Sequence, residues 1–157
     1  KLRGDLAMMQ AAVLASREEL AKVAVFDKVT AVGCPLGHAP LPTEGEMVSL
    51  DKKVSGEKFW MMSAPTIFGN SGGGIFESGT PRLIGVAAMI CVYDTIVSMP
   101  VTHLGVLVPM TNVYDWLDSQ GYQFLYDPRV SRDDCERGRA VLRALLPSVV
   151  QTSWEGK

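Results

Sequence analysis

The sequence predicts an all-β body, an antiparallel sheet or small barrel, followed by C-terminal helices. Three observations predict it. Short runs of β-branched, Leu and Phe residues recur before Pro109, Gly, Pro, Asn or Ser stand between many of them, and beyond one short box at Ser16 the helix-capping signals come after Pro109. The 157-residue length fits one average domain or two very small ones, and 47% hydrophobic content against 20% charge supports a packed interior over a disordered chain.

Taken in order, Leu6 to Val13 is an apolar run, and Ser16-Arg17-Glu18-Glu19 offers a capping box for a short helical turn. Lys28 to Val32 reads as a strand stopped by Gly33, Pro35 and Gly37, which leaves Gly33 to Glu46 mostly loop. Strand-length apolar segments follow at Met47 to Leu50, Phe59 to Met62, Gly74 to Phe76, Arg82 to Val92 and His103 to Val108. Beyond Pro109, Thr111 or Asn112 caps a helix through Leu117. A second box, Ser131-Arg132-Asp133-Asp134, opens a helix that sets Gly138, Val141, Leu142, Leu145 and Leu146 near one face until Pro147 stops it.

Charge and composition exclude several functions. Fifteen Lys and Arg against seventeen Asp and Glu give a net charge of -2, which offers no broad attraction to nucleic acid or an anionic membrane. The longest stretch free of charged residues, Thr95 to Tyr114, is broken by Pro100, His103 and Pro109, so it does not read as a membrane span. Cys34, Cys91 and Cys135 form no C-x-x-C pair, and the two histidines sit in no zinc motif, so no metal or organic cofactor is implied. Buried packing is the expected role for Cys34 and Cys91.

The most informative residues are Gly69-Asn70-Ser71-Gly72-Gly73-Gly74. Glycines here permit tight turns in which a serine projects its hydroxyl while nearby N–H groups converge on one point, the two features acyl transfer needs. With the strand-like Gly74-Ile75-Phe76-Glu77 and Leu83-Ile84-Gly85-Val86 that follow, the segment resembles the chymotrypsin-like serine peptidases, particularly their bacterial HtrA-like branch. Three further segments match in the family's order. Gly4-Asp5-Leu6-Ala7-Met8-Met9 is similar to the segment carrying the triad aspartate, Ala31 to Gly37 to the opening of the second barrel, and Leu104 to Met110 to the strand near the domain's end.

The resemblance implies a chymotrypsin-like fold divided into residues 1–32, the end of a first barrel and the interdomain segment; 33–110, the second barrel; and 111–157, a helical extension. It implies Ser71 as nucleophile, Asp5 as the residue orienting the base, and the N–H groups of Gly69 and Ser71 as the oxyanion hole. It also implies that Pro65, Thr66, Ala88, Met89 and Ile90 line the pocket for the substrate residue before the scissile bond. That lining carries no charge, so an uncharged, aliphatic side chain is expected in a peptide or protein substrate.

The catalytic histidine is missing from where the resemblance needs it. Only four residues precede Asp5 and none is histidine, while His38 and His103 match no catalytic position of the family. A histidine supplied by an upstream segment or a separate chain is therefore expected. Two other readings compete: an inactive peptide-binding relative, and an α/β-hydrolase-like esterase with Ser71, Asp94 and His103 in that order. The second is disfavoured by Gly72, Gly73 and Gly74, which follow the serine where that fold needs a helix.

Overall fold

The computed structural model describes residues 11–93 and 99–145. Strand β2, Lys28–Gly33, buries Val29, Ala31 and Gly33 and leaves the residues between them more open, which is the period-2 signature of a strand with one face on a core. It pairs antiparallel with β3, Leu41–Val54, on one side and with β5, Gly74–Glu77, on the other. Strand β3 pairs with β4, Glu57–Met62; β4 with β7, Met99–Pro109; and β7 with β6, Arg82–Tyr93, which returns to β5. These six strands close a ring, so none of them is a bare edge along its whole length. A two-residue strand, β1, Val13–Leu14, adds outside the ring as a parallel partner of Arg82 and Leu83.

The barrel core is built from Val29, Ala31, Met47, Met62, Ala64, Ile75, Ile84, Ala87, Val106 and Leu107, all buried. One expectation needs correction: residues 41–46 belong to β3, not to a loop. Pro42 is tolerated because β3 meets β4 only from Met47 onward, so one edge of the strand carries no ladder at Pro42. At the far end of the β3–β4 hairpin, Ser55 and Gly56 link the paired residues Val54 and Glu57, both with positive φ, as a two-residue turn of the hairpin-favouring hand requires.

The Ser16 capping box forms as read. The Ser16 hydroxyl accepts from the Glu19 N–H, the Glu19 carboxylate accepts from the Ser16 N–H at 2.8 Å, and helix α1 is the short turn Arg17–Leu20. The chain divides into two compact units, Lys1–Thr111 and Asn112–Lys157. Helix α2, Met110–Ser119, starts slightly earlier than its expected cap, because the chain turns helical directly after β7. Within the second unit Tyr114 stacks on Tyr126 with ring centroids 4.2 Å apart, and the Arg139 guanidinium lies 4.3 Å from the Tyr122 ring centroid. Arg129 donates from its side chain and its backbone to Asp127, and pulls that carboxyl down to about 2. Helix α3 is Arg132–Leu145, with the Ser131 hydroxyl accepting from the Asp133 N–H at its start. Val141, Leu142 and Leu145 fall within this helix as expected, whereas Leu146 and the stop at Pro147 lie outside the described residues.

Candidate functional site

Between β4 and β5 the chain makes no regular structure, yet it is fixed at almost every step. The Ser63 N–H donates to the Glu46 carbonyl, the Thr43 hydroxyl to the Pro65 carbonyl and the Thr66 N–H to the Thr102 carbonyl, all at 2.8–2.9 Å. These bonds tie residues 63–66 to β3 and β7. Asn70 is next: it is buried, its N–H donates to the Ile67 carbonyl and its side-chain oxygen accepts from the Ile67 N–H. Its backbone and side chain also rest against Gly33, where an added Cβ would come within 3.0 Å of the Asn70 amide. The sequence alone assigns Asn70 no role. Its only signal was its place in the Gly-Asn-Ser-Gly motif.

Gly69 has φ +99°, and a Cβ there would stand 2.5 Å from the Cys34 carbonyl oxygen and 2.7 Å from the Leu36 nitrogen, so only glycine fits. The Leu36 N–H donates to the Phe68 carbonyl at 2.8 Å, which clamps the two loops together. Ser71 and Gly72 then form the centre of a β-turn closed by the Gly73 N–H on the Asn70 carbonyl, with Gly72 at φ +86° as a type II turn requires at its third position. Two more bonds fasten this turn to β6: Gly72 N–H to the Ala87 carbonyl at 2.8 Å and Ala87 N–H to the Gly73 carbonyl at 2.9 Å.

Ser71 is exposed, and its hydroxyl donates to the Ala88 carbonyl at 3.1 Å. Among the described residues, neither the Gly69 nor the Ser71 N–H donates to a protein acceptor. Ala88 lies at a bulge where the β6 register shifts between Ala87 and Met89, and beyond it β6 pairs with β7 only. An open strand edge therefore starts beside the serine. Along it Ala88 and Ile90 are half-buried and Met89 is exposed; Pro65 is half-buried and Thr66 buried across from them in sequence.

The remaining candidates are more scattered. Asp5 and Asp94 lie outside the described residues. His38 is exposed in the loop after Gly37, and His103 is exposed where the β6–β7 register slips between Ile90↔Gly105 and Cys91↔Val101. Cys34 is exposed and Cys91 half-buried, which corrects the expectation of buried packing: Cys34 sits after the last buried residue of β2, where the chain has left the core. The esterase arrangement is corrected too. Ser71 feeds a strand of an antiparallel barrel, not a helix beside a parallel sheet. No group of three or more His, Cys, Asp or Glu suited to a metal occurs among the described residues.

A cavity of about 290 Å³ bounded by Glu19, Lys28, Glu77 and Arg82 holds none of the predicted site residues. Arg82 pairs there with both Glu19 and Glu77, so the charges compensate one another and brace α1 against β5 and β6.

No protein-family model and no curated protein matches the chain, whereas its fold matches solved structures. It is similar to the HtrA-type protease AlgW bound to a decapeptide, with 23% identity and a TM-score of 0.59 over 73% of this chain and 34% of that one. A serine-to-alanine form of AlgW with a decapeptide gives 22% identity and a TM-score of 0.60 over 76% of this chain and 36% of that one. An inactive serine-to-alanine mutant of the M. tuberculosis protein Rv3671c gives 17% and 0.51 over 69% and 52%. The chain thus spans about a third of the length of the AlgW structures it matches, and the shared feature is the chymotrypsin-like barrel with its trailing helix.

Proposed function

We propose that this chain carries the nucleophile barrel of a serine endopeptidase, in which Ser71 attacks the scissile carbonyl and forms an acyl-enzyme. The observation that carries the reading is the Ser71 turn itself: an exposed hydroxyl on a braced turn, with the Gly69 and Ser71 N–H groups left without acceptors among the described residues. Two such donors can stabilise an oxyanion at little reorganisation cost, because the turn that holds them is already fixed. The open edge of β6 from Ala88 supports a peptide substrate, which can add as an extended strand and lead its carbonyl to the serine.

The base is a histidine from an upstream segment or a separate chain, oriented by Asp5. Ser71 at present donates to the Ala88 carbonyl, which cannot take its proton, so turnover requires a competent base. That same hydrogen bond favours the second reading, an inactive peptide-binding relative. A serine-directed phosphonate probe separates them: strong labelling of a longer form with its upstream sequence, lost in Ser71→Ala and weak in the 157-residue chain, supports the peptidase. Equal labelling and turnover by the 157-residue chain would overturn the missing histidine, and no labelling of any form would favour the binding module.

A further inference from the structure

The cavity beside α1 takes no part in the serine turn. It holds about 290 Å³, near the lower bound of small-molecule sites, and lies between the end of α1, the start of β2 and the β5–β6 pair. Val23, Val29 and Ile84 give it an apolar lining, of which Val29 and Ile84 are buried. Three acids and three bases stand around that lining, and their hydrogen-bonding capacity is unevenly used. Glu19 accepts from the Ser16 N–H and pairs with Arg82 at 3.1 Å, Glu77 pairs with another nitrogen of the same guanidinium, and Asp27 accepts from the Ala24 N–H at 2.7 Å. Arg82 is thereby committed to two carboxylates. Lys22 and Lys28 are not committed: among the described residues neither ammonium makes an ion pair or a hydrogen bond, and Lys22 acts on Glu19 only as a nearby charge. Each ammonium carries three donors on a flexible stem, so the unmet capacity at this cavity is for an acceptor.

We propose that this cavity binds a small branched-chain aliphatic carboxylate, whose charged end is held by Lys22 and Lys28 and whose alkyl body packs on Val23, Val29 and Ile84. The negative charge follows from the two ammonium groups that lack acceptors. A single charge follows from Glu19, Asp27 and Glu77 on the same wall, because a dianion such as phosphate would meet their repulsion with only two uncommitted cations to offset it. A cation is disfavoured, since each of the three carboxylates already has a donor and no group of three or more His, Cys, Asp or Glu suited to a metal occurs among the described residues. The branched body follows from a lining of three β-branched side chains, against which a ligand of similar width removes apolar area from water. Its short length follows from the volume. The site does not depend on the peptidase reading, because no residue of the Ser71 turn lines it.

The test is a methyl NMR titration of 4-methylpentanoate into a form carrying the upstream sequence. The Val29 and Ile84 methyl signals should shift and saturate. The uncharged analogue 4-methylpentanamide and the shorter propanoate should each bind about tenfold more weakly, the first for want of the charged end and the second for want of the apolar body. Replacing both lysines, Lys22→Gln with Lys28→Gln, should weaken 4-methylpentanoate by about tenfold or more, whereas Lys53→Gln, an exposed lysine of β3 outside the cavity, should leave its affinity unchanged. Both cavity lysines are exposed, so the double variant should melt with the parent in the absence of ligand, which separates lost binding from lost folding. No shift of the Val29 and Ile84 methyls would overturn the proposal. So would an affinity untouched by the double replacement, an amide that binds as tightly as the acid, or inorganic phosphate that binds more tightly than either.

Discussion

Two Ser-Gly turns in this barrel look alike in sequence and at their open glycines, Gly56 and Gly72, and differ in what holds them. Ser55-Gly56 ends the β3–β4 hairpin with both residues at positive φ, and a Cβ on Gly56 would meet nothing within 4 Å. Ser71-Gly72 also needs a positive φ at its glycine, but its neighbours Gly69 and Gly73 are each packed so that a Cβ would come within 2.5 Å of backbone oxygen. The first turn only reverses the chain. The second is held by bonds from β6, from Asn70 and from the loop at Leu36, so its serine and N–H groups are fixed from several sides. Preorganisation of this kind comes from the surroundings of a turn and not from its dipeptide.

The contrast can be broken most forcefully at the serines. On the proposed peptidase reading, Ser71→Ala in a form carrying the upstream sequence should lower peptide turnover by about 10³-fold or more, whereas Ser55→Ala should leave kcat/KM within about twofold. Equal effects would remove the distinction. The glycines give the next largest difference. Gly69→Ala should destabilise the barrel by about 3 kcal/mol in urea unfolding, since it adds a clash to an unfavourable φ, while Gly56→Ala should cost about 1 kcal/mol for backbone strain alone. Similar losses at both sites would show that the tight approach to Cys34 is relieved without cost.

Asn70 sharpens the comparison further, because it has no counterpart at the hairpin turn. Asn70→Ala should lower stability by about 1–2 kcal/mol and reduce phosphonate labelling at Ser71 by more than the folded fraction falls, since the Ile67 bond and the Gly33 contact align the turn. Labelling that tracks the folded fraction would limit Asn70 to a structural part.

The smallest effect belongs to a third serine, at the α1 cap. The Glu19 carboxyl lies below its ordinary value because the Ser16 N–H donates to it, then through the Ser16 hydroxyl and the charges of Arg82 and Lys22. A depressed folded value means that the contribution is complete above the ordinary carboxylate range and is lost as pH falls through the lowered value. An NMR titration should therefore find Glu19 below an ordinary glutamate, and Ser16→Ala should move it back toward that value. No movement would leave the shift to the backbone N–H of residue 16 and the nearby charges, and give the hydroxyl no part.

The strands were legible where apolar residues alternate, as in Lys28–Gly33, and the Ser16 box was legible because both partners lie within one turn of chain. Residues 41–46 were not, since Pro42 and Gly45 read as loop and the partner that makes them a strand, β2, is supplied by tertiary pairing. Thr66 is a pocket residue by resemblance alone, whereas its burial and its N–H bond to the Thr102 carbonyl join residues distant in sequence.

The sequence by itself determined the β-rich body, the capped helical start at Ser16 and the turn that presents Ser71, because each depends on φ preferences and hydrogen bonds between near neighbours. Only the tertiary structure decided that six strands close into a ring, that Gly69 is wedged against Cys34 and Leu36, and that the β6 edge opens beside the serine. Those features are contacts between residues tens of positions apart, and a contact of that range is set by how strands pair in space, which no local preference encodes.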